Sequence, residues 1–316
     1  ALNPTDLPYT TGAVRQALAS VDRTTLSATE KMWYRQLRDA FPDRTPNLDS
    51  LRVGGLVTAG ARRSSSKRLN VLEPLGTGEP LLPRAQVNGY MEWGPWIGQA
   101  GATFDLFYDV DPDGLDTAKK LMTRSEEVYL GYNSRLFDVY LGRFDNQWAR
   151  HDRRGSFLTD NPRSFDQINY RFGNSTLSFQ SIFGVLDNFS EDGPFTKPEH
   201  IGGDSFAQGA IRRYLLLHRL DWSPTPNLKF SAIEAELYHS TTASISLQNL
   251  IPLHTLLFTS HNLPRNNDSN LMLGGGIWYQ MGPVTLNVQA MLDDILVSRR
   301  EERKRSGKFY PAICTI

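Results

Sequence analysis

The chain has 316 residues, of which 34 are basic and 34 are acidic, so its formal net charge is zero. This balance argues against a nucleic-acid-binding protein, because such proteins normally carry a basic surplus that meets phosphate. Hydrophobic residues make up 40% of the chain, yet no stretch approaches the roughly 18 consecutive apolar residues of a membrane-spanning helix. The absence of such a run does not exclude membrane-spanning strands, because only their alternate side chains face lipid.

Nothing in the sequence predicts a cofactor or a metal site. The single cysteine, Cys314, can form neither an internal disulfide nor a multi-cysteine metal site. The segment 109–114 matches the first half of a calcium loop, but Lys120 occupies the position of the bidentate glutamate, so an acidic turn is favoured. The histidines lack metal-ligand spacing, and there is no serine-hydrolase elbow. We therefore predict that the protein is not an enzyme.

The first forty residues have a helical pattern, because their apolar residues recur at helical spacing. Ser27 and Glu30 form a capping-box signature before the second run. Pro42 is placed to end that helix. We predict a small helical hairpin over residues 1–45, acting as a plug at one end of the molecule.

From about residue 49 the hydrophobic period changes to two, as in Val284–Ala290. Such alternation predicts strands with one apolar and one polar face. The predicted strands are 49–63, 85–93, 96–109, 125–133, 136–144, 164–172, 175–187, 211–222, 228–240, 268–281 and 284–296.

Short and long connections between these strands alternate along the whole run. The short ones are Gly94–Pro95, Ser134–Arg135, Gly173–Asn174, Ser223–Asn227 and Gly282–Pro283; the long ones are 64–84, 110–124, 145–163, 188–210 and 241–267. Outer-membrane barrels have short periplasmic turns and long outer loops. A soluble sandwich is not expected to alternate in this way, because the turns at both of its ends face the same water. A soluble β-sandwich or a lectin-like roll is the alternative fold.

The predicted fold class is therefore all-β, an antiparallel transmembrane β-barrel of about 12 or more strands with a small N-terminal helical element. We assign residues 46–298 to the barrel and 299–316 to a charged loop with a candidate last strand, Lys308–Ile313. Aromatic residues cluster near strand ends, as in interfacial girdles: Tyr90, Trp93, Trp96, Phe107, Tyr108, Tyr132, Tyr140, Phe144, Trp222, Trp278 and Tyr279.

The strand 228–239 breaks the alternation, because its apolar parity flips around Ala232–Ile233. The flip predicts a β-bulge or a different register. Glu234 and Glu236 then share a face with Leu228. Because carboxylates facing lipid are costly, we expect the two glutamates to face the lumen or to lie near an interface.

The connection after Leu141 has the chemistry of sugar contact. A tryptophan ring covers apolar C–H surfaces, and planar donors and acceptors bind hydroxyls. The alternative is a solvated loop with one anchoring tryptophan. The candidate ligand-binding residues in and beside this connection are Arg143, Trp148, Arg150, Asp160 and Asn161.

Several motifs together resemble the Wzi-type capsule-assembly outer-membrane proteins. They are Leu7-Pro8-Tyr9 with Leu26-Ser27, Leu141-Gly142-Arg143 with Trp148, Phe157-Leu158-Thr159-Asp160-Asn161, His218-Arg219-Leu220 with Glu234 and Tyr238, and Leu292-Asp293-Asp294. The resemblance implies an outer-membrane barrel with a periplasmic helical element that binds surface polysaccharide. Arg219, Glu234 and Glu236 join the candidate ligand-binding residues.

The leading functional hypothesis is a non-catalytic barrel that binds or helps assemble capsule or exopolysaccharide. Its predicted location is the bacterial outer membrane, with the amino terminus in the periplasm, and its predicted partners are surface polysaccharide and outer-membrane lipid or lipopolysaccharide. Two alternatives are a porin-like channel for small solutes and a structural component of an envelope assembly. Polar side chains such as Gln167, Asn169 and Asn287 motivate the channel.

Overall fold

The computed structural model describes residues 11–41, 50–62, 69–70, 73–74, 82–106, 123–125, 127–134, 136–148, 157–158, 164–189, 211–240, 250–251, 254–256, 269–282, 284–293 and 313–315. Two helices come first, α1 (Thr11–Ala19) and α2 (Ala28–Ala40). The predicted capping box is confirmed, since the Ser27 side chain accepts from the Glu30 backbone N–H and the Glu30 side chain accepts from that of Ser27. No helix among the described residues is long and apolar enough to cross a membrane.

The rest of the described chain is almost entirely strand. The strands are β1 (Leu51–Arg62), β2 (Leu69–Asn70), β3 (Glu73–Pro74), β4 (Leu82–Trp93), β5 (Trp96–Asp105), β6 (Thr123–Arg124), β7 (Val128–Asn133), β8 (Phe137–Phe144), β9 (Phe165–Gly173), β10 (Leu177–Phe189), β11 (Ile211–Thr225), β12 (Leu228–Ser240), β13 (Ser269–Met281), β14 (Val284–Leu292) and β15 (Ile313–Thr315). All eleven predicted strands are present, as β1, β4, β5 and β7 to β14. The predicted class, an all-β antiparallel fold with a small N-terminal helical element, is confirmed.

The main sheet is a meander in which each long strand pairs antiparallel with the next. Its order is β1-β4-β5-β7-β8-β9-β10-β11-β12-β13-β14-β15, with β6 beside β5, while β2 and β3 form a separate hairpin. The last strand, β15, pairs with residues 289–291 of β14. It overlaps the candidate last strand 308–313 only at Ile313. Strands β1 and β15 are not paired with each other, so the sheet is not closed among the described residues.

Tight turns lie at one rim of this sheet and long connections at the other. The pairs β4–β5, β7–β8, β9–β10, β11–β12 and β13–β14 are joined by the predicted short turns. Gly94 and Gly282 have φ angles of 56° and 57° at two of these turns, a backbone conformation that glycine adopts without steric cost. The short strands β2, β3 and β6 lie within two of the long connections, so the predicted alternation holds.

The register of the strands divides the sheet into two chemically different faces, since side chains alternate and paired residues share a face. We call the face that carries Arg219 the polar face and the opposite one the apolar face. Polar-face residues include Arg84, Gln86, Asn88, Gln99, Asn133, Asp138, Gln167, Asn169, Arg171, Gln180, Asp221, Lys229, Ser231, Asn287 and Gln289.

Burial on the two faces is the reverse of that in a water-soluble protein. Many large apolar side chains on the apolar face are exposed, with 76% exposure at Val53 and 70% at Val57, whereas those that pack with Leu256 on β10 to β13 are buried. Gln167, Arg219 and Lys229 on the polar face are each only 3% exposed. The exposed members of the apolar face also include Leu51, Val87, Trp93, Trp96, Phe104, Val128, Leu130, Leu141, Leu177, Val185, Leu220, Trp222, Ile277, Tyr279, Met281, Val284, Leu286 and Leu292.

Aromatic side chains form a belt on the apolar face at the short-turn rim. Cross-strand contacts hold this belt together, with ring centroids 5.2 Å apart for Trp96 and Tyr132 and 5.5 Å apart for Trp222 and Phe230. The belt contains Trp93, Trp96, Tyr132, Phe137, Phe172, Trp222, Phe230 and Tyr279. Four residues predicted for the girdle are instead on the polar face: Tyr90, Tyr140, Phe144 and Trp278. Phe107 and Tyr108 lie outside the described residues.

The predicted bulge in β12 is wrong. The pairing of β12 with both neighbours runs without a register shift through Ala232 and Ile233. The parity flips for a different reason, because each face of this strand is covered by a separate part of the chain. Ile233 packs under a connection on the polar face, while Leu256 covers the apolar face.

Candidate functional site

Residues 145–148 and 157–158, which we call the segment after β8, lie on the polar face of β9 to β14. Trp148, only 1% exposed, is the centre of this segment. Its backbone N–H donates to the Leu158 carbonyl over 2.9 Å. The Gln289 side chain donates to the Trp148 carbonyl over 2.7 Å, across 141 residues of sequence. These two backbone bonds fix the position of the tryptophan independently of its ring.

A series of hydrogen bonds between side-chain amides connects the start of the segment to the sheet. Asn146 donates to Gln167, and Asn169 donates to Asn146 over 3.0 Å. Gln180 donates to Asn169 over 3.1 Å. Buried amides need such partners, because an unpaired buried polar group costs free energy comparable to a lost hydrogen bond.

An apolar cluster under the segment completes its anchoring. Trp148 and Leu158 pack with Ile182, Leu217, Ile233 and Ala235 from three neighbouring strands. Phe157 packs at the edge of this cluster. The segment is therefore part of a packed core on the polar face.

An ion-pair network lies beside the tryptophan ring. Arg219 donates from Nε and from Nη2 to the Asp221 carboxylate at 2.9 and 2.6 Å. Lys229 approaches the same carboxylate at 3.4 Å, and Ser231 donates to it at 2.6 Å. The Arg219 guanidinium lies over the Trp148 ring, 5.3 Å from its centroid, a distance at which cation–π attraction operates.

These groups border a small cavity on the polar face. Its lining consists of Trp148, Arg219, Lys229, Trp278, Asn287 and Gln289, together with Ser231, Ile233, Gly276 and Ile277. The indole N–H groups of Trp148 and Trp278 have no hydrogen-bond partner among the described residues. The site thus combines two cations, two amides and two buried indole donors.

The candidate ligand-binding residues from the sequence divide into three groups. Trp148 and Arg219 come together at this cavity. Arg143 lies on the apolar face and pairs with the exposed Asp166 over 3.0 Å. Glu234 and Glu236 are also on the apolar face, so of their two expected positions the one facing the lumen is wrong, while one near an interface stays a prediction. Three residues lie outside the described part of the chain: Arg150, Asp160 and Asn161. A binding role for each residue stays a prediction.

A second polar cluster explains how glutamates occur on the apolar face. Residues 250–251 and 254–256, which we call the cover segment, lie over β10 to β13. The Leu256 N–H donates to Glu234 Oε1 over 3.1 Å, and His218 Nδ1 lies 2.8 Å from the same oxygen. The His254 ring meets the His218 ring edge-on, with centroids 5.4 Å apart.

Sequence reasoning missed Asp221, Lys229 and Ser231 as members of the polar site. The sequence did contain a signal for this cluster. Arg219 and Asp221 are two residues apart on one strand, and Lys229 and Ser231 are two apart on the next, so each pair shares one face of the sheet. A tight turn joins the strands, and its register places Asp221 opposite Ser231. The cavity itself depends on Trp278 from β13 and on the segment after β8, whose packing no local pattern predicts.

No group of histidine, cysteine or acidic residues in the described ranges could hold a metal ion. The chemistry that the site offers is hydrogen-bond donation from buried groups.

No family model matches the chain, and no curated protein matches it either.

Proposed function

We propose that the chain forms an outer-membrane β-barrel that binds surface polysaccharide through its polar face. The inverted burial of the two faces carries the membrane part of this proposal. An apolar face on which Val53 and Val57 are more than two-thirds exposed is an aggregation hazard in water, but it matches the lipid-facing surface of a barrel.

The geometry of the rims supports the same location. Short turns at one end and long connections at the other are typical of outer-membrane barrels. The aromatic belt lies at the short-turn rim, at the height of an interfacial girdle. Arg15 of α1 pairs with Glu92 near that rim over 3.6 Å. This contact supports a periplasmic location for the helices.

The polysaccharide part of the proposal is supported by the site around Trp148. The segment after β8 is packed against the polar face, with buried amides, cations and indoles beside it. Saccharides are recognised by such planar donors and acceptors. The resemblance to capsule-assembly barrels, on the residues quoted above, points to the same class of ligand.

Two measurements test the proposal. We expect the protein to fractionate with outer membranes and to migrate differently before and after heating, as folded barrels do. We also expect the purified protein to capture surface polysaccharide in a pull-down, with capture lost in Trp148→Ala and kept in Trp93→Ala. Trp93 is a matched control, because it is a tryptophan 45% exposed on the apolar face. Heat-modifiable migration of each variant separates loss of binding from loss of fold. A soluble protein, or equal capture by both variants, contradicts the proposal.

A diffusion channel is the second candidate, favoured by the polar face of β1, β4 and β5. There the polar-face residues Leu56 and Tyr90 are 57% and 51% exposed, so this part of the face is accessible. Planar-bilayer recording discriminates the two functions, since stable ohmic conductance of the whole chain supports a channel. Deleting residues 1–45 removes the helices that Arg15 ties to Glu92 and is expected to raise any conductance. Unchanged conductance would contradict a plug.

A further inference from the structure

Two buried hydrogen-bond donors border the cavity on the polar face without an acceptor among the described residues. They are the indole N–H groups of Trp148, 1% exposed, and Trp278, 6% exposed. An indole N–H can only donate. Buried donors normally have partners, and each one left unpaired is unfavourable. Two of them in the lining of one cavity therefore point to an acceptor that occupies it.

The charged residues that line the cavity are of one sign. Arg219 and Lys229 contribute cations, whereas Asp221, which bonds both of them, is not part of the lining. No acidic side chain lines the cavity among the described residues. Asp221 thus fixes the positions of the two cations, and the lining of the cavity is rich in hydrogen-bond donors and positively charged.

We propose that this cavity receives the carboxylate of an acidic sugar unit. A carboxylate is acceptor-only and offers about four lone-pair sites on two oxygens, which suits several converging donors. A sugar hydroxyl brings a donor hydrogen of its own and no charge, so it complements this lining less well. Charge-assisted hydrogen bonds to a carboxylate are also about twice as strong as neutral ones. The inference rests on the proposed function and names the class of polysaccharide, one that carries uronic acids.

The position of the two tryptophans makes the inference testable by single substitutions. The Trp148 backbone N–H donates to the Leu158 carbonyl and the Trp148 carbonyl accepts from the Gln289 side chain, so Trp148→Phe removes the indole donor while these two hydrogen bonds stay. Trp278→Phe removes the second donor from β13. Trp222→Phe is the control, because Trp222 is 51% exposed in the aromatic belt on the opposite face.

The experiment is calorimetric titration of the full chain in detergent micelles with uronic-acid trimers. The probes are trimers of glucuronate, galacturonate and mannuronate, each compared with its neutral methyl ester. We expect at least one acid to bind about tenfold or more tightly than its ester, the size of a hydrogen bond to a charged group. That preference is expected to fall severalfold in Trp148→Phe and Trp278→Phe and to persist in Trp222→Phe.

The possible results separate this inference from the proposed function. If no acid binds more tightly than its ester, the inference is overturned, even where whole polysaccharide is still captured in the pull-down. Equal preference in all three tryptophan variants also overturns it, because the indole donors would then not contact the carboxylate. Failure of the wild-type protein to capture any polysaccharide overturns the proposed function itself. Heat-modifiable migration confirms that each variant is folded before its titration is compared.

Discussion

Gly274 occupies a position on the polar face where no side chain fits. A Cβ atom there would lie 2.1 Å from Phe157 Cζ and 2.3 Å from the Ala290 carbonyl oxygen. The first contact is with a ring packed at the edge of the Trp148 cluster, and the second is with backbone of β14. The glycine therefore admits the segment after β8 to the face of the sheet, as expected where another part of the chain approaches a strand closely.

Substituting this glycine gives a prediction at the scale of one residue. We expect Gly274→Ala to lower the free energy of unfolding by about 1–3 kcal/mol, the usual cost of overpacking. Gly60→Ala is the control, since nothing lies within 4 Å of a Cβ atom at Gly60. Urea titration of both variants in lipid vesicles measures the difference. Equal stability of the two would show that Phe157 does not pack against β13.

At the scale of the element, helix α2 begins with two reciprocal hydrogen bonds between Ser27 and Glu30. Hydrogen bonding of the Glu30 carboxylate to the Ser27 side chain and to the Ser27 backbone N–H holds the pKa of that carboxyl below its ordinary value. A carboxyl whose folded pKa is depressed stabilises the folded state above its unfolded pKa. That stabilisation is lost as the pH falls through the folded pKa, so the start of α2 frays in acid.

The fraying can be followed by hydrogen exchange. We expect the protection factors of the amides at Ser27 and Glu30 to fall between neutral pH and acid below the ordinary range of glutamate. In Glu30→Gln the side chain carries no charge to lose, so we expect protection that does not change over the same range. Protection that is unaffected by acid in the wild-type chain would contradict the capping box.

The cover segment supplies a second prediction for an element. Glu234 accepts from the Leu256 N–H and lies against His218, so Glu234→Leu leaves both groups without this acceptor. Each buried polar group left unpaired costs about 1–3 kcal/mol. We expect lower stability in urea and faster proteolysis near residues 250–256. The control is Asp166→Asn, which breaks an exposed pair with Arg143 and should cost below about 1 kcal/mol.

For the whole molecule, the apolar face suits the lipid environment that we propose for it. Its exposed aliphatic residues occur on strands from β1 to β14, while Gln167, Arg219 and Lys229 on the other face are buried. A soluble sandwich would bury the first set and expose the second.

Substituting arginine on each face in turn tests whether the apolar face contacts lipid. Val57 and Thr58 are neighbours in the middle of β1, with Val57 on the apolar face and Thr58 on the polar one. In a bilayer we expect Val57→Arg to cost about 2–4 kcal/mol near the midplane and Thr58→Arg to cost much less. The measurement is reversible folding into vesicles, followed by heat-modifiable migration. Similar stabilities would place the apolar face in water instead of lipid.

The sequence alone determined the strands, the tight turns and the class of the fold. Alternation with a period of two is a local property, and so are turn residues such as Gly94 and Gly282, so each could be recognised without knowing its neighbours in space. The capping box at Ser27 belongs to the same kind of signal. Trp148 could also be singled out, because a tryptophan among polar residues is unusual in a connection, whereas Arg219 was proposed only from the resemblance to capsule-assembly barrels.

Only the tertiary structure decided what covers each face of the sheet. The packing of Trp148 against β10 to β12, the cavity that it shares with Trp278, and the cover segment over Glu234 all depend on connections without periodicity. Such segments gain their positions from contacts distant in sequence, like that between Gln289 and Trp148. For that reason the parity of β12 predicted a bulge, whereas the strand is regular and two separate coverings reverse its apolar pattern.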